Sequence, residues 1–488
     1  MTRPLRRVAL VLFVLFGALF VNVNYLQVIR ADDLANDNRN TRTLIKEYAR
    51  QRGSMLVGRG NRQSEIARSV ETGGRYKYER RYPDGPLYAH ITGFYSIVYG
   101  RAGLEESGNR FLVGDAPEQF ARTLGDFLSG REPHGDDLVL TVNPSAQEAA
   151  RDGLGDRTGA VVAIEPSTGA VLAAYANPTY DPNRLSTFDR DEATTYWDRT
   201  DDERRNRALR ETYPPGSTFK LVTAAAALSD GISADTTFPD PQSYTPPQTT
   251  RSIPNFGGGL CNGGSRLTLQ RALEVSCNTV FARLGNEVGP EKLVAQAERF
   301  GLNARWDTQL PLVPSAIPSD LDPPAAAQSA IGQRDVRVTP LQMAMITAAI
   351  ANDGVLLRPR VIDRIQDFDG RMVREYGPEP LTLAGAESGA AVSRAVAGDL
   401  QRMMVGVVEA GSGRSAAIPG VEVGGKTGTA QVGEGGNPTV WFTGFAPADN
   451  PQVAVAVVVP DGGDVGAEAT GGAVAAPIAR EVMEAVLE

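Results

Sequence analysis

Tyr213-Pro214-Pro215-Gly216-Ser217-Thr218-Phe219-Lys220 is the stretch on which the fold turns. Pro-Pro-Gly sets an extended segment and then a turn. Leu221 to Ser229 continues as an Ala-rich helical run, which Asp230-Gly231 stops. Ser217 is therefore expected at a helix N-terminus, where backbone N–H groups and the helix dipole favour negative charge. Lys220, at i+3, falls on the same face one turn further on. A serine hydroxyl needs a base to become a nucleophile, and a buried lysine with a lowered pKa can be that base. An N-capping serine beside a solvated lysine is the other reading of Ser-x-x-Lys taken alone.

The rest of the composition bears on that choice. The chain has 488 residues, 42% apolar and 22% charged, enough to bury a sizeable core and too apolar for wholesale disorder. A net charge of −9 carries no basic nucleic-acid footprint. Two cysteines exclude a Cys-rich scaffold, and two histidines leave little for a metal site, so no metal or cofactor is expected. A Ser-His-Asp triad needs a histidine, and His90 and His134 both lie before residue 135. Lysine occurs only at 46, 77, 220, 292 and 426, against 44 arginines. Because arginine cannot deprotonate and lysine can, a lysine inside a motif is a candidate for chemistry.

Two further motifs follow. Ser276-Cys277-Asn278 comes 59 residues after Ser217, at the joint between two helical runs, Thr268 to Val275 and Thr279 to Val288. Its hydroxyl can relay a proton and its amide can hold a carbonyl, although an Asn N-cap is the plainer interpretation. Gly424-Gly425-Lys426-Thr427-Gly428-Thr429-Ala430-Gln431 reads as a strand whose glycines admit a ligand backbone. Lys426, Thr427 and Thr429 are candidates for a carboxylate. Gly420 to Thr427 also satisfies the letters of a phosphate loop, but that motif belongs between a strand and a helix, and strands follow here.

Around these motifs, Gly159–Ile164 and Ala170–Ala176 form a hairpin signal, and Val423–Gln431, Val440–Phe445 and Val453–Val459 read as strands. Residues 210–410 are helical in pattern, and Ala473–Leu487 is a last helix. Strands at both ends with helices between predict one α+β domain whose sheet joins distant parts of the chain. Residues 232–265 read as a long loop. Asp137–Val142 reads as a strand, Ser145–Leu154 as a helix, and Tyr88–Val98 as strand. Arg3, Arg6 and Arg7 precede an apolar run from Val8 that reaches Ile29. A cleaved signal peptide would need small residues at −3 and −1; Ile29-Arg30-Ala31 and Asp33-Leu34-Ala35 do not supply them. The expectation is a single-pass anchor with its N-terminus cytoplasmic and the bulk extracytoplasmic. The expected divisions are 1–30 (tail and anchor), 31–143 (pedestal) and 144–488 (catalytic).

Ser217-x-x-Lys220, Ser276-x-Asn278 and Lys426-Thr427-Gly428, in that order, resemble the signature of penicillin-binding proteins and serine β-lactamases. Arg52-Gly53-Ser54-Met55, Gly103-Leu104-Glu105, Gly169 to Pro178, Asn206-Arg207-Ala208 and Thr339-Pro340-Leu341-Gln342 extend the resemblance to class B penicillin-binding proteins, closest to their actinobacterial A type. It implies an antiparallel sheet with helices on both faces, standing on an N-terminal pedestal. The activity implied is peptidoglycan D,D-transpeptidation in cell-wall synthesis for division or growth, through a serine acyl-enzyme that β-lactams also form. By resemblance Ser217 is the nucleophile, Lys220 the base and Ser276 a proton relay. Asn278 orients the donor peptide, and Lys426, Thr427, Gly428 and Thr429 hold its carboxylate. The partners implied are D-Ala-D-Ala stem peptides, an acceptor amine and a SEDS-type glycan polymerase.

A D,D-carboxypeptidase and a weakly catalytic β-lactam-binding scaffold are the alternatives. No Glu lies between Glu298 and Glu375, where a class A β-lactamase would carry its deacylating residue. With the domain outside the membrane, Cys261 and Cys277 are candidates for a disulfide, two buried thiols being the other option.

Overall fold

The hairpin signal is realised as Gly159–Ile164 (β1) and Val171–Asn177 (β2), antiparallel, with Gly159 opposite Asn177. The computed structural model describes residues 2–30, 45, 47–58, 63–117, 134–306, 308–383, 385, 388–431 and 436–488. Three strands from the end of the chain complete the sheet: Gly424–Ala430 (β3), Thr439–Ala446 (β4) and Val453–Val459 (β5). The order is β3-β4-β5-β1-β2, with every neighbouring pair antiparallel. β4 and β5 are buried at every position. Both faces of the sheet are therefore covered, which is why these strands read as continuous apolar runs rather than alternating ones.

The helices supply that cover. Pro144–Leu154 (α1) packs with the C-terminal helix against the sheet. Its cap is Asn143, whose side-chain oxygen accepts the N–H groups of Ser145 and Ala146. The helix that carries Lys220 is Lys220–Ser229 (α2), followed by Leu269–Glu274 (α3) and Asn278–Val288 (α4). Pro340–Ala351 (α5) is buried at all twelve positions and is capped by Thr339. Thr347 of α5 bonds Thr443 of β4. Arg394–Glu409 (α6) packs against β3, and Ala475–Leu487 (α7) buries Ile478, Ala479, Val482 and Met483 against α1 and the sheet. A helix buried on all sides is largely apolar all round, and the polar residues of α5, Gln342 and Thr347, are hydrogen-bonded.

A second, six-stranded sheet lies N-terminal to this body. Its order is Met372–Glu375, Ile362–Gln366, Asp137–Leu140, Met55–Val57, Ser64–Glu71, Tyr78–Arg81. Met55–Val57 runs parallel to Asp137–Leu140 and the other described pairings are antiparallel. Two of its strands thus come from residues 362–375, so the chain returns to the pedestal sheet well after residue 144. The signatures at Arg52 and Glu105 meet inside the pedestal. Arg52 Nη2 lies 2.8 Å and Arg80 Nε 2.6 Å from the two oxygens of a fully buried Glu105.

Residues 88–98 are not mainly strand. Gly85–Thr92 is a helix with Pro86 in its first turn, and only Tyr95–Ser96 is extended. Leu87 and Ile91, four apart, share its buried side. The loop 232–265 contains one short ladder, Ser243–Tyr244 with Ile253–Pro254, and its Thr237–Phe238 pairs with Leu267–Thr268 just beyond it. At the other end, Pro4–Ile29 form a 26-residue, mainly apolar helical stretch with no burial against the rest of the chain, long enough to cross a membrane.

Candidate active site

Gly216 sets the turn that carries Ser217. Its φ of +52° is a left-handed conformation, and a Cβ there would stand 2.8 Å from Thr429 O. Glycine is needed for the turn to press against β3. Gly216 N–H donates to Gly332 O at 2.9 Å, which fastens the other side. The helix starts three residues later than Ser217: residues Gly216–Phe219 form a 3-10 turn that runs into α2. Lys220 still falls one turn beyond Ser217, but it is wholly buried whereas Ser217 lines an open cleft of about 260 Å³.

Ser276 sits between α3 and α4 with φ +59°, a conformation a serine adopts only when its surroundings hold it there. Cys277 occupies the cap position of α4, and Asn278 is its first helical residue, so Asn278 is not the N-cap. Its side chain is turned to Lys220 instead. Lys220 Nζ donates to Asn278 Oδ1 at 2.7 Å and to Ser276 O at 2.7 Å, with Ser276 Oγ at 3.3 Å. Lys426 Nζ donates to Ser276 Oγ at 2.9 Å and to Thr427 O at 2.8 Å. Burial, with the nearby Lys426 charge, holds the Lys220 amine well below the ordinary lysine range. Burial alone brings Lys426 down to about 7.

The count of donors and acceptors matters here. A neutral lysine amine has two N–H groups and one lone pair. Ser276 O and Asn278 Oδ1 are pure acceptors and take the two N–H groups. The lone pair is then left for a hydroxyl proton. Ser276 Oγ, already accepting from Lys426, can pass its own proton to Lys220.

Lys426 is not among the residues that line the cleft. Side chains alternate along a strand, so Lys426 and Gly428 face away from Thr427 and Thr429. Thr427 and Thr429 line the cleft; Lys426 is fully buried behind them. Gly428 packs on the turn that carries Ser217, where a Cβ would stand 2.9 Å from Pro215 O. The groups offered to a carboxylate are therefore hydroxyls, with the ammonium set behind.

Cys261 and Cys277 form a disulfide, their Cα atoms 5.7 Å apart. Asp240 lies beside them, and its carboxylate accepts the N–H groups of Cys261, Asn262 and Gly264 at 2.6–3.0 Å. With the sulfurs joined and the carboxylate occupied, this cluster is a brace rather than a ligand set.

Several lining residues were not anticipated. Ser412, in the turn after α6, places Oγ 2.7 Å from Thr427 Oγ1. Thr470-Gly471-Gly472, Gln333 and Phe256 also line the cleft. The sequence signal for the first two groups is glycine density alone (Gly411, Gly413, Gly471, Gly472), which marks close backbone approach without saying to what.

Fold and site define a serine acyltransferase of the penicillin-binding type. The model of the penicillin-binding protein transpeptidase domain matches residues 159–484, and that of the penicillin-binding protein A dimerisation domain matches 52–138. The chain belongs to the penicillin-binding protein transpeptidase family. It is 42% identical to the peptidoglycan D,D-transpeptidase PbpA of Mycolicibacterium smegmatis, over the whole of this chain and 99% of that protein. The Mycobacterium tuberculosis PbpA is 39% identical, over 100% of this chain and 99% of that one. The ceftriaxone acyl-enzyme structure of M. tuberculosis penicillin-binding protein A superposes with a TM-score of 0.86 at 38% identity, covering 91% of this chain and all of that one.

Proposed function

We propose that Ser217 is the acylated residue of a peptidoglycan D,D-transpeptidase. The chain is a serine-type transpeptidase of stem peptides and a target of β-lactams; the similarity to PbpA over its full length supports this. The observation that carries the residue roles is the hydrogen-bonded network in which two fully buried lysines, Lys220 and Lys426, hold Ser276 and Asn278, which line the same cleft as Ser217.

In this scheme Ser217 Oγ attacks the carbonyl of the D-Ala-D-Ala bond, and its proton passes to neutral Lys220. The N–H groups of Ser217 and Thr429 hold the oxyanion. The C–N bond breaks, and the departing D-Ala amine takes the proton by way of Ser276. The amine of a neighbouring stem peptide then attacks the ester and restores Ser217. Thr427 and Thr429 bind the donor carboxylate, Lys426 supplies charge from behind, and Asn278 orients the donor.

The long apolar helix anchors the chain in the membrane. Arg3, Arg6 and Arg7 place the N-terminus in the cytoplasm, so the pedestal (31–143) and the catalytic part (144–488) stand outside. A SEDS-type polymerase is the partner that the family resemblance supplies.

Fluorescent penicillin labelling of the purified chain tests the scheme. Wild type takes up label and releases it slowly, and Ser217→Ala takes up none while melting at the wild-type temperature. Label on the Ser217→Ala variant would refute the nucleophile. Transfer of the acyl group to water in the presence of an amine acceptor would mark a carboxypeptidase instead.

A further inference from the structure

We propose that Phe256 is a specificity-determining residue: it forms an apolar lip that receives the apolar substituent on the acyl side of the bond Ser217 attacks. The inference deepens the transpeptidase reading and rests on it. Phe256 is 68% exposed, yet it lines the same cleft as Ser217 and Asn278. Leu260, on the same turn, is 43% exposed. An aromatic ring left in water beside a nucleophile is available to a ligand in a way that a core phenylalanine is not.

The lip is firmly held. Asn278 Nδ2 donates to Pro254 O at 3.1 Å, and Thr279 N–H donates to Asn255 Oδ1 at 3.0 Å. Asn255 Nδ2 in turn donates to Pro241 O at 3.1 Å and Gly259 O at 3.0 Å. The Cys261–Cys277 disulfide closes the far side of the turn. Phe256 thus lies between two attachments to the Ser276-Cys277-Asn278 segment.

One wall of the cleft is rich in hydroxyls. Ser412, Thr427, Thr429 and Thr470, on β3 and on the turns after α6 and before α7, present hydroxyls. A substrate with a carboxylate at one end takes those hydroxyls, which leaves its other end toward Asn278 and Phe256. The occupant is the apolar part of the donor peptide on the N-terminal side of the scissile bond. The acylamino side chain of a penicillin occupies the same place.

The test uses the full chain and two probes: benzylpenicillin, whose side chain carries a phenyl ring, and a carbapenem with only a hydroxyethyl group. Covering a fraction of a phenyl ring corresponds to about five- to tenfold in rate. Phe256→Ala is expected to slow acylation by benzylpenicillin by about that factor and by the carbapenem less than twofold, with Phe256→Leu recovering part of the loss. Equal losses with both probes, or none with either, would overturn the assignment of Phe256. Absence of acylation in the wild type would instead defeat the transpeptidase reading itself.

Discussion

Lys426 Nζ stands 2.9 Å from Ser276 Oγ, which joins a strand residue and a turn residue 150 positions apart in one hydrogen-bonded site. Two amines that would repel each other in the charged state share this one hydroxyl. Both are fully buried, so the site favours at most one charge at neutral pH. That arrangement makes Lys220 the group able to accept a proton and Lys426 the group able to stay charged below about pH 7.

Acylation is therefore expected to be bell-shaped in pH. It is lost as pH falls through the lowered pKa of Lys220, which becomes protonated. It declines again as pH rises through about 7, where Lys426 gives up its charge. Lys220→Arg should lose about a thousandfold or more at every pH, since arginine cannot take the proton. Lys426→Arg keeps the charge but overfills a closed site. It should acylate slowly, and without the alkaline limb. Acylation rates of both variants across pH check this; mild, equal losses would remove Lys220 as the base.

His90 predicts a separate acid limb in stability. The residue is buried between the pedestal helix and the catalytic body, and burial, with the charge of Arg207, lowers its pKa to about 4. Between pH 6.5 and 4 the unfolded chain binds a proton that the folded chain does not. Stability from this group is fully present above about 6.5 and falls by about 3 kcal/mol as pH drops through that window. His90→Gln should flatten that part of the curve. Urea midpoints of both proteins at pH 7 and pH 4.5 give the difference; parallel curves would exclude His90.

Glu105 holds the pedestal signatures together. Its carboxylate receives Arg52, Arg80 and the Tyr82 hydroxyl, at 2.6–3.2 Å. Removing it leaves two buried guanidinium groups without their counter-charge, so Glu105→Ala is expected to destabilise the fold by about 3–5 kcal/mol. A surface control such as Glu379→Ala, whose side chain is 64% exposed, should cost less than about 1 kcal/mol. Thermal melts of the two variants make the comparison, and similar melting temperatures would show that the cluster contributes little.

Much of the molecule was legible in the chain. The runs Gly159–Ile164 and Val453–Val459 announce buried strands because a sheet covered on both faces needs apolar residues at every position. The order Ser217/Lys220, Ser276/Asn278, Lys426/Thr427 points to the chemistry through its resemblance to the penicillin-binding signature, and lysine is scarce enough here to stand out. Periodicity failed at residues 88–98, where a two-turn helix and an adjoining bridge gave one apolar run without a clear period.

What the sequence determined by itself was the set of candidate reactive residues and the α+β alternation, since side-chain chemistry and hydrophobic pattern are local properties. What only the tertiary structure decided was which groups meet. Strand alternation turned Lys426 behind Thr427, loop packing brought Ser412 to Thr427 and Phe256 to the cleft, and residues 362–375 joined the pedestal sheet. Those contacts depend on long-range closure of the chain around a shared core, and no spacing along the sequence encodes the distance between two elements once they have packed.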